Sequence, residues 1–127
     1  MSQAIASYSP IRRAPAGSTL YVSGQIPLLP SGSLLSATLT EEVDLSLNHL
    51  EALLRSEGAS LTDVVKTTVF LTDPADYAEM DAAYRERFAP GSHPDAVFPA
   101  REAVFVLGLP KGARVEISAI AVVNLTE

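Results

Sequence analysis

One stretch limits the fold more than any other: Val64-Val65-Lys66-Thr67-Thr68-Val69-Phe70-Leu71, β-branched and almost continuously apolar. A run of that kind reads as a strand covered on both faces, because a strand with one wet face alternates apolar and polar residues. It predicts a central strand, and the rest of the chain has to supply neighbours and cover. Leu20 to Ile26 is also rich in β-formers and stops at Pro27, which predicts a second strand. Ala100 to Val106 and Arg114 to Val123 read as two more. Leu109-Pro110-Lys111-Gly112 joins them, a turn-forming stretch suited to an antiparallel hairpin.

Two helical patterns separate these strands. Thr40 before Glu41 and Glu42 puts a hydroxyl cap and two acids where a helix dipole favours negative charge. Val43, Leu47, Leu50 and Leu54 then recur on one helical face, and Gly58 offers the left-handed residue that ends such a helix. Asp73-Pro74 predicts a second start, followed by the stripe Tyr77, Met80, Tyr84 and Phe88. Residues 28–36 and the proline-rich 89–99 read as loops, the latter long enough to shape a pocket. The order is β, α, β, α, β, β, with one or two short strands expected near the N-terminus. It describes an α+β sandwich, a mixed sheet with two helices on one face. The other face is left to find cover elsewhere. In the last strand Val115, Ile117, Ala119, Ala121 and Val123 point one way, and Ile120 and Val122 make the opposite face apolar too, so subunit association is the expected cover.

At 127 residues the chain is read as a single domain, 1–127. With no cysteine it has no thiolate nucleophile, disulfide or cysteine-ligated metal, and it suits a reducing compartment. Fifteen acids against nine bases give a net charge of −6, which argues against nucleic acid and anionic lipid as partners. No apolar run approaches the ~20 residues that cross a bilayer, and no export signal is recognised at the N-terminus, so a cytoplasmic location is expected. His49 and His93 lack ligand-like spacing, and no metal site is expected.

Two charges interrupt apolar strands: Arg101, after Pro99-Ala100, and Glu116, between Val115 and Ile117. If their strands form the hairpin, the two lie near one another on the same sheet. One reading is a buried ion pair that merely satisfies both charges. The other is a site, because a guanidinium can grip a ligand carboxylate through two parallel hydrogen bonds and a carboxylate can hold or deprotonate a water.

Four segments in order carry a resemblance over nearly the whole chain: Tyr21-Val22-Ser23-Gly24-Gln25-Ile26-Pro27, Val64 to Leu71, Pro99-Ala100-Arg101, and Leu109-Pro110-Lys111-Gly112 with Val115-Glu116-Ile117-Ser118-Ala119-Ile120-Ala121. In these the chain resembles the Rid, or YjgF, family of reactive-intermediate deaminases, also called the endoribonuclease L-PSP family. The resemblance implies a chorismate-mutase-like α+β sandwich assembled as a homotrimer, with ligand clefts between neighbouring subunits. It implies that Arg101 binds substrate carboxylate and Glu116 positions the attacking water. Ser23 and Gly24 would line the pocket, Tyr8 would match an N-terminal tyrosine of the site, and the peptide N–H of Ala103 would help hold the carboxylate. The implied reaction is hydrolysis of a small enamine or imine, of the 2-aminoacrylate type, to a 2-keto acid and ammonia, with no metal or cofactor.

The chain departs from the family pattern at Asp81, where asparagine is common, and at Glu102, Ala103, Phe105 and Gly108. These departures bear on substrate preference. Two other functions stay open. One is a non-catalytic, ligand-binding or regulatory trimer that keeps Arg101 to capture carboxylates. The other is an endoribonuclease, against which stand the acidic charge and the lack of a basic patch or histidine pair.

Overall fold

The run from Val64 to Leu71 is a strand over those residues and lies inside a four-stranded sheet. A computed structural model describes residues 6–92 and 96–124. The elements are β1 (Ser18–Gln25), α1 (Leu39–Ser56), β2 (Val64–Leu71), α2 (Tyr77–Phe88), β3 (Ala100–Phe105) and β4 (Val115–Val123), with short 3-10 turns between them. The sheet order is β1-β4-β2-β3. β4 is antiparallel to both β1 and β2, and β3 is parallel to β2. The fold is thus the expected mixed sheet with two helices, and β2 is central. Before Ser18 the described residues form no strand; the one extra pairing is an isolated bridge between Leu28 and Leu34.

The expected hairpin between β3 and β4 is not formed. β2 stands between them, pairing Thr67 with Arg101 on one side and with Ala119 on the other. The cause is the α2 crossover: a strand, a helix and a returning strand leave the two strands parallel and adjacent. Residues Pro110–Gly112 form a 3-10 turn with Lys111 and Gly112 at positive φ, a loop that carries the chain past β2 and not a tight hairpin connection.

The apolar stripe of α1 packs as its spacing requires. Val43, Leu47, Leu50 and Leu54 are essentially fully buried against β2 and β4 residues Val64, Val69, Leu71, Val115, Ile117, Ala119 and Ala121. Each such side chain contributes about 1.5–3 kcal/mol of burial. The cap lies two residues before the expected one, and the helix begins at Leu39. Thr38, not Thr40, accepts from the Glu41 N–H at 3.1 Å, and Glu41 answers by accepting from the Thr38 N–H at 3.2 Å, a capping box. Gly58, at φ 78°, follows the last turn as expected. Asp73 caps a 3-10 turn over Pro74–Asp76 that runs into α2.

Both helices lie on one side of the sheet, and no described helix covers the other. Tyr21 pairs with Ile120 on that second face and is 79% exposed. Phe70, Val104 and Ile120 share the face by strand alternation, and Val122, also on it, is buried near the end of the sheet. No described helix is long and apolar enough to cross a membrane.

Candidate active site

Arg101 is the second residue of β3, on the face the helices cover. Its guanidinium lies over three tyrosine rings, with Cζ 4.8 Å from the Tyr84 centroid, 5.6 Å from Tyr77 and 5.7 Å from Tyr8. Such rings attract a cation through their electron-rich faces. Nη1 donates to Asp81 Oδ1 at 2.9 Å and Nη2 to the Tyr77 hydroxyl at 2.8 Å. The side chain is 1% exposed. Nε is buried and has no hydrogen-bond partner among the described residues, so the cage leaves one donor unsatisfied.

The cage comes from one face of α2, where Tyr77, Asp81 and Tyr84 follow at i, i+4 and i+7. Sequence reasoning took Tyr77 and Tyr84 as core and missed Asp81 as a partner of Arg101. The signal was present: a carboxylate on a stripe of buried aromatics needs a cation, and Arg101 was the buried cation in search of one. Tyr84 also bonds Thr67 through its hydroxyl at 2.7 Å. Burial holds the Tyr84 phenol far above its ordinary pKa, although the Thr67 hydrogen bond and the Arg101 charge pull it down.

The N-terminal segment closes this half of the site. Asp81 accepts from the Ser7 N–H at 3.0 Å and from the Ser7 hydroxyl at 3.0 Å, one on each carboxylate oxygen. The Ser9 N–H donates to Pro99 O at 3.0 Å, and its hydroxyl donates to Phe98 O. Tyr8 is thereby held beside Arg101. Ala103 lies two residues along β3, on the same face as Arg101.

Glu116 lies elsewhere. It opposes Phe70 across the β4–β2 ladder, and its neighbours Val115 and Ile117 point into the helix-covered core, so its side chain is on the face away from the helices. The expected closeness of Arg101 and Glu116 within one chain therefore fails twice: β2 intervenes, and the two side chains leave the sheet on opposite sides. Glu116 instead meets Gly24. A Cβ placed on Gly24 would fall 1.8 Å from Glu116 Oε2, so only glycine leaves room for that carboxylate. Ser23 and Gly24 occupy an irregularity where the β1–β4 register slips between Val22 and Gln25. Gly24 also borders a groove of about 480 Å³ with Ile26, Leu28 and His49. His49 bonds Leu28 O at 2.7 Å; His93 lies outside the described residues. Among the described residues no three His, Cys, Asp or Glu side chains gather to hold a metal.

The sequence-selected residues thus form two halves. Tyr8, Arg101 and Ala103, joined by Asp81 and Tyr77, stand at the β3 edge; Ser23, Gly24 and Glu116 stand at the β1–β4 side. Three strand spacings separate β1 from β3, roughly 14 Å. A small imino acid cannot touch both halves of one chain.

Comparison with known proteins adds the following. The endoribonuclease L-PSP family pattern matches residues 1–123. The human protein named 2-iminobutanoate/2-iminopropanoate deaminase is 41% identical over 105 residues, covering 82% of this chain and 72% of its own. The crystal structure of Escherichia coli TdcF with bound serine superposes with a TM-score of 0.76 at 34% identity, covering 96% of this chain and 100% of TdcF. The Escherichia coli YjgF gene product gives 0.74 at 36% identity over 95% and 98% of the two chains. The two solved structures match this fold over nearly the full length of the chain, and the chain belongs to the endoribonuclease L-PSP family, the Rid/YjgF family it resembles in sequence.

Proposed function

We propose that the protein is a hydrolase that deaminates small carboxylate-bearing enamines and imines, of the 2-aminoacrylate type, to 2-keto acids and ammonia. The observation that carries this reading is the Arg101 cage: a buried guanidinium, oriented by three rings and two hydrogen bonds, whose Nε–H has no partner among the described residues. A ligand carboxylate supplies the missing acceptor through a charge-assisted bond. The names of the relatives support the same chemistry.

The two halves come together between subunits. In a closed homotrimer the β3 edge of one subunit faces the β1–β4 side of the next, and the sheet faces away from the helices cover one another. Arg101, with Tyr8 and the Ala103 peptide N–H, then fixes the substrate carboxylate. Glu116 of the neighbouring subunit accepts a proton from a water as its oxygen attacks the C=N carbon. The resulting carbinolamine takes that proton from Glu116 onto its nitrogen, the C–N bond breaks as the hydroxyl returns a proton to Glu116 and becomes the carbonyl, and ammonia and the 2-keto acid leave. Ser23 hydrogen-bonds the water or the amino group. Such imines hydrolyse unaided, so orientation and one positioned base suffice. No metal or cofactor enters this scheme, and the cysteine-free chain suits a cytoplasmic setting.

The test is Glu116→Gln, which keeps size and removes charge. Binding of a stable 2-keto acid should remain near wild type, while ammonia release from a dehydratase-generated imine falls by ~10² or more. Wild-type turnover in that variant would overturn the assignment. Binding without turnover in the wild type, across several imines, would favour the regulatory trimer.

A further inference from the structure

The Arg101 guanidinium is neutralised before any ligand arrives, and the neutralising group is fixed in place. Asp81 is 16% exposed beside a guanidinium that is 1% exposed, at 2.9 Å. Its carboxylate is not a swinging group: Ser7, itself fully buried, holds one oxygen through its N–H and the other through its hydroxyl. To leave Arg101, Asp81 would have to break contacts on both oxygens, and each buried partner left behind would be unsatisfied. An arriving carboxylate therefore shares Arg101 with a resident one and does not replace it. The Arg101–Asp81 pair is already neutral, so the arriving carboxylate adds a negative charge with no cation left to offset it, beside Asp81 and the Glu116 of the proposed shared site, in a place largely shut off from water where like charges oppose each other most. What the paired guanidinium still offers is the Nε–H, which has no partner among the described residues, and a neutral carbonyl can accept from it as well as a carboxylate can.

We propose that Asp81 is a specificity-determining residue, an internal counter-ion to Arg101 that removes the premium on substrate charge and opens the site to uncharged imines, such as 2-imino amides, as well as to 2-imino acids. The inference rests on Arg101 being the anchor of the proposed hydrolase.

The experiment is calorimetric titration of the whole protein with pyruvate and with its uncharged amide, pyruvamide, in wild type, Asp81→Asn and Arg101→Lys. In the wild type the two ligands should bind within tenfold of each other. A preference for pyruvate of tenfold or more overturns the proposal, and this arm needs no variant to fold. In Asp81→Asn, whose amide oxygen can still accept from Ser7, pyruvate should bind at least tenfold more tightly while pyruvamide is unchanged. Equal or weaker pyruvate binding in a folded Asp81→Asn overturns it. A purely structural role for Asp81 would move both ligands together. If Arg101→Lys leaves both affinities at wild-type values, or the wild type binds neither ligand, the anchor itself is wrong, and the inference goes with it. Loss of both affinities in Arg101→Lys keeps the anchor and isolates the question to Asp81.

Discussion

Gly24→Ala separates the stability of this protein from its chemistry. The added Cβ would lie 1.8 Å from Glu116 Oε2, 2.6 Å from Cδ and 2.8 Å from Cγ. Ordinary contact begins near 3.4 Å, so the carboxylate has to retreat by roughly 1.6 Å, through its own torsions and not through the backbone. The fold should tolerate this. The glutamate end is half-buried and can swing along the subunit cleft, and replacing glycine in a strand recovers about 0.5–1 kcal/mol of chain entropy. The melting midpoint should stay within about 5 °C of wild type. Activity should not survive so well, because a displacement of order 1 Å at a positioned group costs ~10²-fold. The assay is ammonia release from an imine generated in place by a pyridoxal-phosphate dehydratase, with a melting curve on the same sample. Near-wild-type turnover in a folded Gly24→Ala would refute a working position for Glu116 over Gly24. A stability loss beyond about 3 kcal/mol would instead refute the idea that the carboxylate is the part that yields.

Arg101→Lys keeps the charge but loses the planar grip, and should lower turnover or affinity by about 10- to 150-fold, the worth of one charge-assisted hydrogen bond; steady-state kinetics on a folded sample checks it. Light scattering at micromolar concentration should return three times the 13.4 kDa chain mass, and a monomer mass would remove the shared site. The Tyr84 phenol is raised in the fold, so its contribution to stability is whole below the unfolded tyrosine's pKa of about 10 and declines as pH climbs above it. Tyr84→Phe should flatten that alkaline decline in denaturant melts. At neutral pH it should cost about 1–3 kcal/mol, because the buried Thr67 hydroxyl loses its partner.

The elements that local chemistry dictates were legible in the chain, and the pairings that depend on distant residues were not. The stripe Val43, Leu47, Leu50 and Leu54 announces α1 because its spacing is that of one helical face, and the whole stripe is buried. β2 is bounded by the same residues in sequence and in structure. Pro110-Lys111-Gly112 misled because turn chemistry says only that the chain bends; it does not say which strand it meets afterwards. The helix between β2 and β3 held the better clue, since a helical crossover returns a strand parallel to the one it left. The residues of the site were visible singly. Arg101 and Glu116 stand out as charges in apolar strands, but their separation by β2 and by sheet face follows from topology alone. Asp81 was noticed only as a departure from a pattern, because a helix stripe shows which side chains share a face without naming what packs on it.

The tie between the N-terminal segment and the body of the protein sets an order of events. Ser7 reaches Asp81 across 74 residues of chain, and Ser9 reaches Phe98 across 89. Contacts that span such loops form late, after the local helix and the strands around it have lowered the entropy of closure. The Arg101 cage is therefore expected to be completed late in folding. A fusion joined ahead of Ser7 bears on these contacts before it bears on the sheet, so a tagged protein can melt like the free one and yet have an altered Arg101 cage.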